Sequence, residues 1–308
     1  EGFQPRRGFY ELEVTEELRE VLYLDETHLI VVDHPPDVEV HSTDKLGPPP
    51  FPPSELWALR SPRLPVSVVG DDGIDRTEAV RAIDGVFAPP GPPLPPPLRG
   101  QCQPLTLTMD FGSLDGRTAG VPARSSTEPP SARGQSNGQL LLGAAAGGDA
   151  RGPLVLALTG WLQYGDASAN IASSQNSSVP VIPPKLEAET ARGEWQRLDV
   201  VIGMPAGKTK TILCDLTGKL PRGAQRLRLT TTFEIRWDRI ALFERAPERE
   251  ISRHALKPAR AHLRWRGFSE IKSRAPGHPQ TPAYDKASPR PPWRCSSAVT
   301  RRRHSRTP

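Results

Sequence analysis

The sequence predicts a mainly antiparallel β-sandwich over residues 8–246, and three features point to it. Leu227, Leu229, Thr231, Phe233, Ile235 and Trp237 alternate with Arg226, Arg228, Thr230, Thr232, Glu234 and Arg236, the period of a strand with one buried face. Residues 154–158 are apolar at every position, which suits a central strand covered on both sides. Further β-rich segments recur through 185–243 at roughly the eight to twelve residue spacing of sandwiches and barrels.

Taken in order, 9–14 alternates as a first strand, 15–18 suits one helical turn, and 20–33 reads as two short strands hinged at Asp25 and Glu26. His34, Pro35 and Pro36 stop them, because proline cannot donate to a ladder. Residues 38–41 form a last short strand before a Pro-rich insertion over 47–103. Within that insertion, 65–69 reads as a strand, 70–73 as a tight turn, and 75–83 as a helix capped by Asp75 with Ala79, Val80 and Ile83 inside. The stretch 87–100 is expected to run over the surface.

Residues 105–111 return to the sheet, and 116–152 is a low-complexity loop expected to be disordered apart from 139–142. Strands are expected at 185–189, 196–202 and 211–216. The alternation of 225–243 flips phase after Trp237, since Ile240 and Leu242 follow. Strands rarely exceed about ten residues, so this stretch reads as two strands, or one with a bulge at Asp238 and Arg239. The expected core comprises Leu154, Leu156, Leu158, Leu198, Val200, Ile212, Leu227, Leu229, Phe233, Ile235 and Ile240. Residues 247–308 read as a basic, mostly irregular tail in which 261–268 pairs once more.

Composition narrows the function classes. With 36 Pro and 26 Gly in 308 residues, one core of moderate size is expected. No apolar run approaches the roughly 18 residues that span a bilayer, so no membrane-spanning segment is expected. Residues 249–308 hold 15 Lys/Arg against 3 Asp/Glu, a charge of +12, whereas 1–248 hold 25 against 32, a charge of −7. The basic end carries no fold signature of the usual nucleic-acid binders, so no nucleic-acid partner is expected. Cys102, Cys214 and Cys295 form no C-x-x-C pair, which supports neither zinc nor a disulfide framework.

Several motifs dissolve on inspection. Gly203, Gly207, Lys208 and Thr209 suggest a phosphate loop, but three residues separate the glycines where four are needed, and a strand follows instead of a helix. Asp166, Ser168 and Asn170 alternate like the start of a calcium loop, yet Ile171 and Ser177 stand where the glycine and glutamate of an EF-hand belong. The seven histidines match no metal spacing and no G-x-S-x-G elbow exists. The chain therefore reads as a non-catalytic module without a cofactor, with calcium at Asp166 as the one metal option.

The stretch 164–175 is the best candidate binding surface, because it follows the most apolar strand and mixes chemistries. Asp166 offers a charge, Ser168 a hydroxyl, Asn170 and Gln175 paired donors and acceptors, and Tyr164 an aromatic face. Trp161, Trp195 and Trp237 are candidates for stacking on a sugar, although core packing is the commoner fate of a strand tryptophan.

Residues 15–41, 158–175, 203–221, 226–244 and 264–270 resemble the C-terminal region of bacterial FG-GAP repeat proteins with ASPIC/UnbV-type domains. The resemblance implies a β-rich accessory module attached to propeller-like repeats of a larger extracytoplasmic protein; a protein or glycan partner is expected of such a binding module. The resemblance weakens after Trp293, and 294–308 reads as a disordered tail, with out-of-frame translation as the alternative. The strand ending in Trp237 and Asp238 is also similar to the final strand of galactose-binding-like jelly rolls, which implies sugar binding at end loops. A carbohydrate-binding module and a divergent enzyme with a site at the sheet-end loops are the alternatives.

Overall fold

The computed structural model describes residues 7–12, 14, 26–49, 51, 53–114, 153–176, 178, 180–272, 277–279 and 281–290. The expected strand at 20–25, the low-complexity loop 116–152 and the segment 294–308 lie outside the described residues. The chain divides into a unit over Val32–Ser252 and a second unit formed by Glu1–Val31 with Arg253–Pro308.

The strands in chain order are β1 (Leu29–Asp33), β2 (Val38–Ser42), β3 (Leu56–Arg63), β4 (Ser67–Gly70) and β5 (Gln101–Asp110). After β6 (Leu154–Leu162) and helix α1 (Ala167–Gln175) come β7 (Lys185–Glu189), β8 (Trp195–Arg197), β9 (Lys210–Asp215), β10 (Arg226–Phe233) and β11 (Ile235–Arg245). The last are β12 (Ser252–Leu256), β13 (Phe268–Lys272) and β14 (Thr281–Ser288).

The larger unit is a β-sandwich. One sheet has the order β4-β5-β10-β7-β8 and the other β2-β3-β11-β6-β9, with every neighbouring pair antiparallel. Side chains from both sheets meet in one apolar cluster, to which β5 gives Leu107 and Met109, β10 gives Leu227 and Leu229, and β6 gives Leu156 and Leu158. Of the core expected from sequence, Leu156, Leu158, Leu198, Ile212, Leu227, Leu229, Ile235 and Ile240 are buried in this cluster, while Leu154, Val200 and Phe233 pack against it.

The phase flip in 225–243 has two structural causes. β10 belongs to the first sheet and β11 to the second, so the chain changes sheet at Glu234. Within β11, the register against β6 then shifts between Trp237 and Arg239. Asp238 is the extra residue of this bulge, which returns Ile240 and Leu242 to the face used by Ile235 and Trp237.

β6 is buried on both faces, as its composition demanded. Leu156 and Leu158 enter the sandwich core, while Val155 and Ala157 join Leu59, Leu213, Ala241 and Phe243 in a second cluster on the opposite face. This sheet curls strongly. The segment after β2 reaches the far edge strand β9, where Asp44 pairs with Lys210 and the Lys45 ammonium donates to the Leu213 carbonyl at 2.9 Å. Leu46 and Met204 exchange both backbone hydrogen bonds.

Within the insertion 47–103, β4 falls on the strand expected at 65–69, whereas β3 was not expected there. The prolines of the insertion do not leave it loose, because proline removes a donor and keeps its carbonyl. Pro89 accepts from Arg76 Nε at 2.9 Å and Pro92 from the Gln103 amide at 2.8 Å. Ala88, Leu94 and Leu98 are buried, so 87–100 packs against the sandwich instead of running over its surface. The helix expected at 75–83 shrinks to a single 3₁₀ turn, Glu78–Val80. The free edge of β4 claims the preceding backbone: Arg76 N donates to Val68 O at 2.8 Å, and the Thr77 hydroxyl accepts from Val68 N at 2.9 Å. Asp75 accordingly caps Thr77, bonding its amide and its hydroxyl, and Ile83 stays exposed.

The tail carries more order than its composition suggested. β13 and β14 form an antiparallel hairpin, beside which Trp265 meets Phe268 edge-on. β1 and β12, which lie mostly in this second unit, form a two-stranded ladder.

Candidate functional site

Most of the stretch 164–175 is not a presenting loop, because Ala167–Gln175 folds as helix α1. Asp166 is the N-cap of α1, its Oδ1 accepting from the Ala169 amide at 2.8 Å. Ala169 and Ser173, one turn apart, form the buried side, and Ser173 Oγ accepts from Gln101 Nε2 at 2.6 Å. Tyr164, Asp166, Ser168, Asn170 and Gln175 are exposed around this anchored face. The Asp166 carboxylate is thus engaged in capping. Among the described residues no group of three or more His, Cys, Asp or Glu side chains is placed to hold a metal ion.

The tryptophans divide. Trp237 and Trp161 are buried, at 2% and 5% exposure. Trp161 packs edge-on against Phe87, and its indole N–H has no hydrogen-bond partner. Trp195 is half-buried, and the guanidinium of Arg228 stacks 3.8 Å from its ring centroid. The face that would meet a sugar is therefore covered by an arginine. The Gly203 to Gly207 loop leads into strand β9, and its Met204 is tied to Leu46.

The structure brings together a site that the sequence reading missed. An open groove of about 750 Å³ lies between the start of β4 and the chain from Asp75 to Pro89, lined by Val66, Ser67, Asp75, the buried Arg76, Thr77, Glu78, Ala79, Asp84, Val86 and Pro89. One signal was present in the sequence: 66–89 holds five acids, Asp71, Asp72, Asp75, Glu78 and Asp84, against Arg76 and Arg81. The periodicity of a short helix masked it, because a helix would have spread those carboxylates around its circumference.

The groove walls are held by satisfied polar groups. Arg76 is buried, with its guanidinium bound to both Asp72 oxygens, to the Ile74 carbonyl and to the Pro89 carbonyl. These bonds from Arg76 hold the Asp72 carboxyl down at about 2. Behind the opposite wall, Asp238 is buried at the β11 bulge, and its Oδ1 accepts from the Gly85 amide at 3.1 Å and the Asp84 amide at 3.3 Å. Burial pushes the Asp238 carboxyl up, and the neighbouring Asp84 carboxyl adds to the effect. Ala88 N donates to Trp237 O at 2.7 Å, so one strand pins the loop at two places.

The chemistry of the groove is one-sided. Asp75, Glu78 and Asp84 line it, and the hydroxyl and amide of Thr77 pull the Asp75 carboxyl below its ordinary value. The Arg76 cation is fully committed to its own partners, and Arg81 lies 3.9 Å from Glu78. Val66 and Val86 border the opening at 72% and 60% exposure. A negatively charged trough with aliphatic edges suits recognition of a cationic or mixed ligand.

No helix among the described residues is long and apolar enough to cross a membrane. Comparison of the chain with protein-family models, with curated proteins and with solved structures found no match.

Proposed function

We propose that this chain is a non-catalytic binding module whose ligand seat is the acidic groove at the β4 end of the sandwich. The carrying observation is that groove, about 750 Å³ in volume, with its walls fixed by Arg76 on one side and Asp238 on the other. A seat on such walls loses little entropy on binding, which favours recognition. The stretches that resemble FG-GAP proteins of the ASPIC/UnbV type include α1, β9, β10 and most of β11, with the end of β6. That supports reading the module as part of a larger extracytoplasmic protein of this type with a protein or glycan partner. The carbohydrate-binding alternative, which a galactose-binding-like jelly roll would favour, has less support, because Arg228 covers the Trp195 ring.

The test is to probe the intact chain on a peptide array and a glycan array beside a Val86→Trp variant, whose larger side chain alters the groove lining. Ligands retained by the native chain and lost by the variant support the proposal. Ligands that bind both equally, or no binding on either array, overturn it.

A further inference from the structure

We infer that the occupant of this groove is a peptide segment carrying a lysine or arginine flanked by aliphatic side chains, an inference that rests on the binding-module reading. Charge complementarity comes first. Between Val66 and Pro89 the chain holds five acids against two bases, a net charge of −3. The exposed Asp72 neutralises the buried Arg76, which leaves Asp75, Glu78 and Asp84 as the carboxylates of the groove lining. Glu78 is almost fully exposed, at 89% of its side chain, and its contact with Arg81 at 3.9 Å is too long for a hydrogen bond.

Shape supplies the second, independent argument. Val66 and Val86 are exposed and both belong to the groove lining together with Ala79 and Pro89, which gives the carboxylates an apolar border. A free inorganic cation would use the carboxylates and ignore these apolar edges. A peptide uses both, placing its ammonium or guanidinium between the carboxylates and its neighbouring side chains on the valines. The backbone edge of β4 is already occupied by Ile74 and Arg76, so the peptide does not add as a strand. Recognition is through side chains.

The experiment measures anisotropy of a short fluorescein-labelled peptide of alternating valine and lysine titrated with the full chain, beside its valine–glutamate counterpart. Saturable binding of the lysine peptide is expected, weakening about tenfold between about 20 mM and about 300 mM salt as screening sets in. The double substitution Glu78→Gln, Asp84→Asn should weaken it about tenfold while leaving the melting temperature unchanged, because Glu78 is exposed and an asparagine oxygen still accepts from the Val86 amide. Equal binding of the two peptides, or an undiminished affinity in the double variant, overturns the inference. If instead the glutamate peptide or an oligosaccharide binds and Val86→Trp abolishes it, the cationic class falls and the binding module stands. If none of these ligands responds to Val86→Trp, both fall together.

Discussion

Arg239 holds the carboxylate of Glu39 from six positions along β11 away from the residue that stands in register with it. Glu39 pairs opposite Leu59, and Leu59 opposite Arg245, yet the ion pair forms with Arg239, which contacts both Glu39 oxygens. A flat sheet would keep these side chains far apart at about 3.3 Å per residue. The curl that carries the segment after β2 to β9 brings them together, and His41 Nε2 completes the cluster 3.0 Å from the same carboxylate.

This pairing makes stability acid-sensitive. Burial alone would raise the Glu39 carboxyl, but the hydrogen bonds and charges of His41 and Arg239 outweigh it and hold it at about 2, against 4.5 ordinarily. A carboxyl depressed in the folded state stabilises fully above its unfolded pKa and loses that contribution as pH falls through the folded one. Urea unfolding should therefore show a stability loss between about pH 4.5 and pH 2 that is smaller in Glu39→Gln, by about 1 kcal/mol after allowance for solvent screening. Identical pH profiles for the two proteins would refute the assignment.

Gly160 pairs with Trp237 where β6 runs beside β11. A Cβ there would lie 2.4 Å from the Arg236 carbonyl and 2.9 Å from the Trp237 ring, both held in the sheet. Gly160→Ala should destabilise by about 2–3 kcal/mol through overpacking, lowering the melting temperature by roughly 5–10 °C. A melting temperature within a degree of the native value would show that the strands yield freely.

Asp166 separates a capping role from a ligand role. Asp166→Ala should cost about 1 kcal/mol and accelerate amide exchange across Ala167–Gln175. Asp166→Ser should recover most of the loss, because a hydroxyl also caps. Failure of serine to rescue, with no change in exchange, would point away from capping.

Cys102 and Cys214 should be inert while the sandwich is folded. Burial pushes both thiols up to about 11, against 9.0 ordinarily, so at pH 8 the thiolate is only about one part in a thousand. Alkylation mapped by mass spectrometry should reach either residue only in denaturant. Labelling of the native protein within minutes would show that the core opens.

The sequence by itself determined the fold class and much of the core, because alternation and its phase are local properties of a chain lying on a buried surface. Leu227 to Trp237 declared its inner face, the flip beyond it declared the irregularity at Asp238, and the unbroken apolar run of 154–158 declared a strand buried on both sides. Tertiary structure alone decided where the groove lies and what holds it. Asp238 reaches the amides of Asp84 and Gly85 across more than 150 positions, and Arg239 reaches Glu39 across 200. Such pairings depend on which strands become neighbours, a choice that no short-range pattern encodes. The same reason explains the local misreadings. The 75–83 segment has helical spacing, but the free edge of β4 offered its backbone better partners, and α1 reads as loop because its buried side needs only Ala169 and Ser173.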